Sequence, residues 1–405
     1  MPGYVSHTKC SFVVQERFQF EVYNNMKALV YHGPMDVRID DKPKPKIQHE
    51  EDIILNVTKT AICGSDLHLY HGSVEGMEPG QTLGHEFMGI VEEVGAEVHE
   101  VKQGDRVVVP FNINCGRCWY CRHQLWSQCD RSNPKGEVGA AYGYTQLLGG
   151  YDGGQAEFVR VPYANTGPLK VPDSLDDEQV LFLSDIIPTG YFGADIANIQ
   201  PGDDVAVFGA GPVGYFAVMC SFLRGAARVF SVDHWPARLE KTKSLGAETI
   251  NFDEEGDDPA KKIKELTKGK GAICIDAVGY EAVGHSGHGH DHRGISNPAY
   301  EPANPLQVIT WITQAARKYS TVSIPGVYGT AYDKFPLGQL FQRELQIKMG
   351  QCPVKLYNEQ LLHLIECGRI NPTPLISHTM KLDDAPKAYE MFNKKENVTK
   401  VVLKP

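Results

Sequence analysis

The chain has 405 residues, 42% of them hydrophobic and 22% charged, with a formal net charge of -10 and ten cysteines. That length is too great for one simple core and predicts about two or three folding units; the acidic balance argues against general affinity for nucleic acid or anionic lipid, leaving small molecules and copies of the chain itself as expected partners. No stretch reaches the roughly 18 uninterrupted apolar residues of a membrane span, the first 25 residues lack a basic start followed by an apolar core, and cysteines scattered singly at 10, 63, 220, 274, 352 and 367 are unlike a disulfide framework, so a cytoplasmic, reducing location is expected.

Residues 1–25 read as an extension ahead of the first strand, MKALVYHG at 26–33, where apolar residues recur at every second position. From there to about 187 short β runs broken by Gly, Pro and Asp follow one another, among them EEDIILNVTKTAIC, FMGIVEEVG, DRVVVPF and AEFVRVP, which predicts a mostly β unit. After TGYFGADIANIQPGDD, strands alternate with helical stretches: VAVFG, VGYFAVMCSFLRGA, RVFSVD, PARLEKTKSLG and AICIDAVG. Alternation of that kind predicts a doubly wound parallel sheet with helices on both faces, its last strand at TVSIPGVYG after the helix LQVITWITQAARKY. The tail from 350, with VKLYNEQLLHLIECGR and VTKVVLKP, is too short to stand alone and is expected to return to the first unit. The expected organisation is an extension (1–25), a mostly β catalytic domain (26–187 and 350–405) and an α/β nucleotide domain (188–349).

In a lobe spanning about 112–132, the run NINCGRCWYCRHQLWSQC places Cys115, Cys118, Cys121 and Cys129 at C-x2-C-x2-C-x7-C spacing. Four thiolates close a tetrahedral zinc sphere, whereas a catalytic zinc keeps one position open, so a structural ion is expected here. Iron–sulfur ligation is the competing reading; ferredoxin runs use a shorter last gap followed by proline, and here Asp130 follows Cys129. Further along, Gly209, Gly211 and Gly214 of GAGPVG follow the apolar strand DVAVF and open a helix, and Asp233 ends the next strand 19 residues past Gly214. This is the setting of a dinucleotide turn, with the pyrophosphate at the helix N-terminus and the carboxylate at the adenosine ribose. The charge of Asp233 would repel a 2'-phosphate and favour NAD over NADP, while Arg238, one turn into the following helix, would touch the ribose or help to bind a phosphate. Cys63 in TAICGSDLHLYHG and His85 in LGHEFMG each stand where a β run meets a Gly-rich turn, a setting that makes a metal reading compete with that of a buried apolar Cys.

Together CGSDLH, GHE, the four-cysteine lobe, GAGPVG and Asp233 resemble the zinc-dependent medium-chain alcohol dehydrogenases over nearly all of residues 26–405. Within that superfamily FLSDIIPTGYFGA (182–194), VGYEAVGHSGHGH and GQCPV are most similar to the glutathione-independent formaldehyde dehydrogenases and formaldehyde dismutases. The resemblance implies a GroES-like catalytic domain beside a Rossmann domain, NAD and two zinc ions per chain, and a homo-oligomer, most often a tetramer. It implies Cys63, His85 and Asp185 as ligands of a catalytic zinc, with water or substrate oxygen in the fourth place. Asp185 stands where many relatives have Cys, and a carboxylate donates less charge than a thiolate and leaves a stronger Lewis acid; the plainer reading of Asp185 is a helix N-cap. Glu86 would be an occasional inner ligand or, from outside the sphere, an orienting group. Ser65 and His68 match the proton-relay positions, against the plainer reading of His68 as a solvated surface residue.

On the same resemblance the cofactor contacts are Gly64, Ser65, His68, Thr189, the glycine turn with Pro212 and Val213, Asp233, Arg238, Val278, His285, Pro325, Val327, Gly350 and Cys352. Val283 stands in place of a basic residue of the nearest relatives, which bears on how tightly the cofactor is kept. The remaining histidines of GHSGHGHDHRG (284–294), His288, His290 and His292, read as a polar loop with adventitious metal affinity. The expected activity is hydride transfer from a small alcohol or hydrated aldehyde to NAD, with formaldehyde, giving formate, as leading candidate. The rivals are a polyol, threonine or butanediol dehydrogenase, a formaldehyde dismutase that retains NAD, and a zinc- and NAD-binding protein without catalysis.

Overall fold

The computed structural model describes residues 25–254, 258–281, 305–329, 331–395 and 397–405. The expected extension up to residue 24, and Val283 with the histidines at 285, 288, 290 and 292, lie outside them.

Among the described residues two large sheets carry the fold, beside two two-stranded ones. One is a six-stranded parallel sheet in the order Glu248–Asn251, Arg228–Asp233, Asp204–Phe208, Ile273–Asp276, Thr321–Ile324, Gln346–Met349. Its central strands are apolar on both faces because helices cover both. Along Asp204–Phe208, Val205 and Val207 point into a cluster with Ala217, Val218 and Ile275, while Ala206 and Phe208 point the other way, to Phe230, Cys274 and Ile312. The chain starts at the centre, winds out to one edge and returns to the other, so the strand order reverses between Asp204–Phe208 and Ile273–Asp276. A crevice for a ligand opens at the carboxyl ends of those two strands.

The second sheet has seven strands, with Ile53–Ala61 paired antiparallel to Glu86–Val94, Phe158–Val161 and the final strand Val401–Lys404. The last of these sets Val402 opposite Ala61 and Leu403 opposite Thr60, so the C-terminal tail closes the sheet that the first part of the chain began. The helix Ile186–Ile196 leads out of this sheet and lies against Pro212–Leu223 of the parallel one. No described helix is long and apolar enough to cross a membrane.

The parallel sheet does not stop at Thr321–Ile324, where its last strand was expected: Gln346–Met349 adds a further strand, and Glu248–Asn251 forms the opposite edge. Both are short and polar because an edge strand need not bury both faces, so QIKM and ETIN carry no apolar run.

Candidate functional site

In the four-cysteine lobe Cys118 caps the short helix Trp119–Arg122, its sulfur accepting the Cys121 backbone N–H at 3.4 Å. The loop then bends back until Cys115 N donates to Cys129 Sγ, also at 3.4 Å. The four sulfurs lie within 4.8 Å of one another, all buried and none in a disulfide. The hydrogen bond from Cys121, joined by donors at Cys115 and Ser132, outweighs burial and holds Cys129 down to about 4, while the Cys121 thiol is pushed up in turn. Cys121 and Cys129 therefore do not ionise together unless a cation offsets them. A closed set of four soft donors fits a structural zinc.

A second cluster forms where the β sheet meets the helix Ile186–Ile196. Cys63 caps the helix Gly64–Tyr70, His85 immediately precedes and Glu86 begins the strand Glu86–Val94, and Asp185 precedes Ile186. One ligand atom from each of the four lies within 4.8 Å of the others, and all are buried. Cys63 Sγ is 3.8 Å from Asp185 Oδ2, and His85 Nε2 is 3.3 Å from the same oxygen. Asp185 does hold the N-cap position, but its carboxylate makes no capping bond; Oδ1 instead accepts the Thr189 hydroxyl at 2.7 Å. Although burial opposes charge on His85, Asp66, Cys63 and Asp185 raise its pKa well above the imidazole range. Surroundings that would hold a proton at Nε2 suit a divalent cation equally well.

Three supporting residues give the cluster its shape. Asp66 Oδ1 lies 3.1 Å from His85 Nδ1, and Asp66 Oδ2 accepts from Cys63 N at 2.9 Å and from Gln155 Nε2 at 3.2 Å. This leaves Nε2 as the imidazole atom directed at the cluster. Lys400 Nζ, fully buried, donates to Glu86 Oε1 at 2.7 Å and to Ile62 O at 2.9 Å; burial alone would lower the lysine pKa, but Glu86 beside it prevails and keeps the ammonium charged. Glu86 Oε2 is buried without a hydrogen-bond partner, an orphaned oxygen in a set of metal-binding donors. Three donors plus Glu86, held back by Lys400, make an incompletely closed N/O/S set that fits a catalytic zinc.

The cluster lies in the wall of a cleft that runs to the crevice of the parallel sheet. There Gly214 allows helix and strand to touch, for a Cβ on it would stand 1.8 Å from the carbonyl oxygen of Gly209. Asp233 is buried, with Oδ2 accepting Ala210 N at 2.7 Å and Oδ1 accepting His234 N and Trp235 N at 2.7 and 3.0 Å. Arg238 Nη1 is 3.6 Å from the place a Gly211 Cβ would occupy, so the guanidinium stands over the glycine turn. His234 stacks on Phe252, and Phe252 meets Trp311 at 5.1 Å, which gives the far end of the cleft aromatic walls. These are the parts of a nicotinamide dinucleotide site: backbone N–H groups at a helix start, a carboxylate at the neighbouring strand end, and flat apolar walls.

Of the residues expected at the site, Cys63, Gly64, Ser65, His68, His85, Asp185, Thr189, Gly209, Gly211, Pro212, Val213, Asp233, Arg238, Val278, Pro325, Val327 and Cys352 all line this one cleft. Gly214, Glu86 and Gly350 are not part of the lining, and neither are the four lobe cysteines. His285 lies outside the described residues. Sequence reasoning missed Asp66, Lys400 and the aromatic group His234, Trp235, Phe252 and Trp311. Only Asp66 had a local signal, three residues after Cys63 at the N-terminus of a helix.

Residues 49–173 match the family model of the alcohol dehydrogenase GroES-like domain, and 212–286 that of the zinc-binding dehydrogenases. The chain is 44% identical over 384 residues to an uncharacterised zinc-type alcohol dehydrogenase-like protein of Bacillus subtilis, an alignment covering 94% of this chain and 100% of the other. It is 38% identical to the glutathione-independent formaldehyde dehydrogenase of Pseudomonas aeruginosa, covering 91% of this chain and 94% of that enzyme. Among solved structures, an alcohol dehydrogenase from Thermus sp. ATN1 superposes with a TM-score of 0.80 at 35% identity, covering 94% of this chain and 99% of that one.

Proposed function

Because this chain belongs to the zinc-dependent medium-chain alcohol dehydrogenase superfamily, we propose that it oxidises a small alcohol or hydrated aldehyde with NAD, and that hydrated formaldehyde, giving formate, is its leading substrate. The observation that carries this reading is a single cleft with an open, carboxylate-containing donor set at one end and a dinucleotide turn at the other. Cys63, His85 and Asp185 would hold the catalytic zinc, and the four lobe cysteines the structural one. A zinc ion in the first set supplies Lewis acidity that makes a hydroxyl proton easier to remove, and NAD supplies the hydride acceptor.

The chain's own groups do the rest. Ser65 Oγ lies 3.2 Å from His85 Nε2, at the edge of the donor set, where it can take up a proton released by the substrate hydroxyl and pass it to His68. Asp66 fixes the His85 ring, and Lys400 restrains Glu86. Phe111, Tyr144 and Leu148 wall the cleft beside Cys63 and His85, exclude water and favour a small substrate. The carboxylate of Asp233 disfavours a 2'-phosphate and so selects NAD.

The formaldehyde dehydrogenase relative supports the substrate, since a gem-diol is oxidised by the same chemistry as an alcohol and needs no thiol carrier. The edge strand Gln346–Met349, with Leu337, Phe341 and Met349 exposed nearby, supports assembly of two or more copies. The test follows NADH absorbance with formaldehyde, ethanol and 2,3-butanediol, each with NAD and NADP. The proposal expects formaldehyde and NAD to give the highest kcat/KM; a higher value with the diol or with NADP would refute the corresponding part.

A further inference from the structure

His68 is buried, and its ring meets the phenol ring of Tyr280 with centroids 4.6 Å apart and planes inclined at 48°. The contact joins the two halves of the molecule. His68 belongs to the helix Gly64–Tyr70 beside the Cys63 cluster, whereas Tyr280 follows the strand Ile273–Asp276 of the parallel sheet.

The turn that carries Tyr280 is held from several sides. Asp276, fully buried, accepts Val278 N at 2.9 Å and Gly279 N at 3.1 Å through Oδ1, and the Tyr328 hydroxyl at 2.7 Å through Oδ2. Tyr280 N donates to Val327 O at 2.9 Å. Gly279 has φ +79°, and a Cβ on it would stand 2.5 Å from Val327 O, so the turn lies flush against the next loop. The backbone that carries the phenol is thus fixed by the nucleotide-binding half of the molecule. Its ring lies, tilted, against the imidazole that the proton path needs in a set orientation. Val278, in the same turn, lines the cofactor cleft, so cofactor site and imidazole share a support.

We propose that Tyr280 is a positioning residue that pins the His68 imidazole from the nucleotide-binding half of the molecule and so holds it in the orientation that proton transfer needs. The inference rests on the reading of Ser65 and His68 as a relay. It concerns the ring and not the hydroxyl, because ring-to-ring contact is what is observed.

The test uses the zinc-loaded full chain with Tyr280→Phe, Tyr280→Leu, His68→Ala and the Leu/Ala double variant. Leucine fills the space without a ring, and phenylalanine keeps the ring without the hydroxyl. In histidine-labelled enzyme, the His68 ring-proton NMR signal, assigned by its loss in His68→Ala, should move in Tyr280→Leu and stay in Tyr280→Phe. Single-turnover NADH formation, with whichever of formaldehyde, ethanol and 2,3-butanediol reacts fastest, should slow about threefold to tenfold in Tyr280→Leu, the range an aromatic pair supplies, and recover to within about twofold in Tyr280→Phe. The double variant should be no slower than His68→Ala alone. An unmoved His68 signal in Tyr280→Leu, or slowdowns that multiply in the double variant, would overturn the inference while leaving the relay intact. Wild-type rate in His68→Ala would overturn the relay itself, and with it the role assigned to Tyr280.

Discussion

Asp276 joins fold and function through three hydrogen bonds, and its replacement by alanine should be among the most damaging changes outside the metal clusters. The variant orphans Val278 N–H, Gly279 N–H and the Tyr328 hydroxyl at once. Each buried donor left unmade costs about 1–3 kcal/mol. Gly279 N is buried, whereas Val278 N and the Tyr328 hydroxyl are part-buried and can be partly rehydrated, so the sum is about 3 kcal/mol rather than the maximum. Asparagine should cost less than about 1 kcal/mol, because its oxygen can still accept from both backbone N–H groups and its amide can donate to the tyrosine oxygen. Urea unfolding followed by tryptophan fluorescence is the assay, with Trp235 and Trp311 reporting from the same half of the molecule. The pH dependence carries a sign. Burial raises the Asp276 pKa above its ordinary 3.8, so in the folded state the charged form is disfavoured at neutral pH, and that penalty fades as pH falls through the raised value toward 3.8. Wild type should therefore gain stability relative to Asp276→Asn on acidification. If Asn proves as damaging as Ala, or the difference between wild type and Asn is flat with pH, the hydrogen-bond account of this turn is wrong.

Three further outcomes follow from the geometry. Gly214→Ala should abolish detectable NADH binding in a fluorescence titration or leave the nucleotide half unfolded, since its Cβ would stand 1.8 Å from the Gly209 oxygen. Lys400→Met strands Glu86 as an unpaired buried carboxylate and should destabilise the protein by about 3–5 kcal/mol in chemical denaturation; adding Glu86→Gln should recover most of that loss, because breaking a buried pair is worse than removing it. Cys118→Ser should lose one zinc per chain and lower the unfolding temperature, with activity falling only as a consequence. A stable, correctly assembled but inactive Cys118→Ser protein would contradict that division of labour.

What was legible in the sequence was local. The C-x2-C-x2-C-x7-C run, GAGPVG after an apolar strand and Asp233 at the end of the next each carry their chemistry within a few residues, and the structure brings them to a cluster or cleft of that kind. Apolar runs located the central strands because those are buried on both faces; the edge strands Glu248–Asn251 and Gln346–Met349 escaped because they are not. Contacts made by a returning chain left no local mark. Lys400 reaches Glu86 across 314 residues, Asn112 Nδ2 reaches Cys352 O across 240, and Tyr280 meets His68 from the other sheet. The aromatic end of the cleft was missed for the same reason: His234, Phe252 and Trp311 look like ordinary core residues until the sheet sets them side by side.

Zinc content and NADH formation, measured together on wild type and Asp185→Ala, bear most directly on the claim that Cys63, His85 and Asp185 form the reactive end of the cleft. Wild type should hold about two zinc ions per chain, and the variant about one, with the lobe still filled and turnover of every substrate lowered by about a hundredfold or more. A variant that keeps both ions and turns over formaldehyde at the wild-type rate would contradict the assignment.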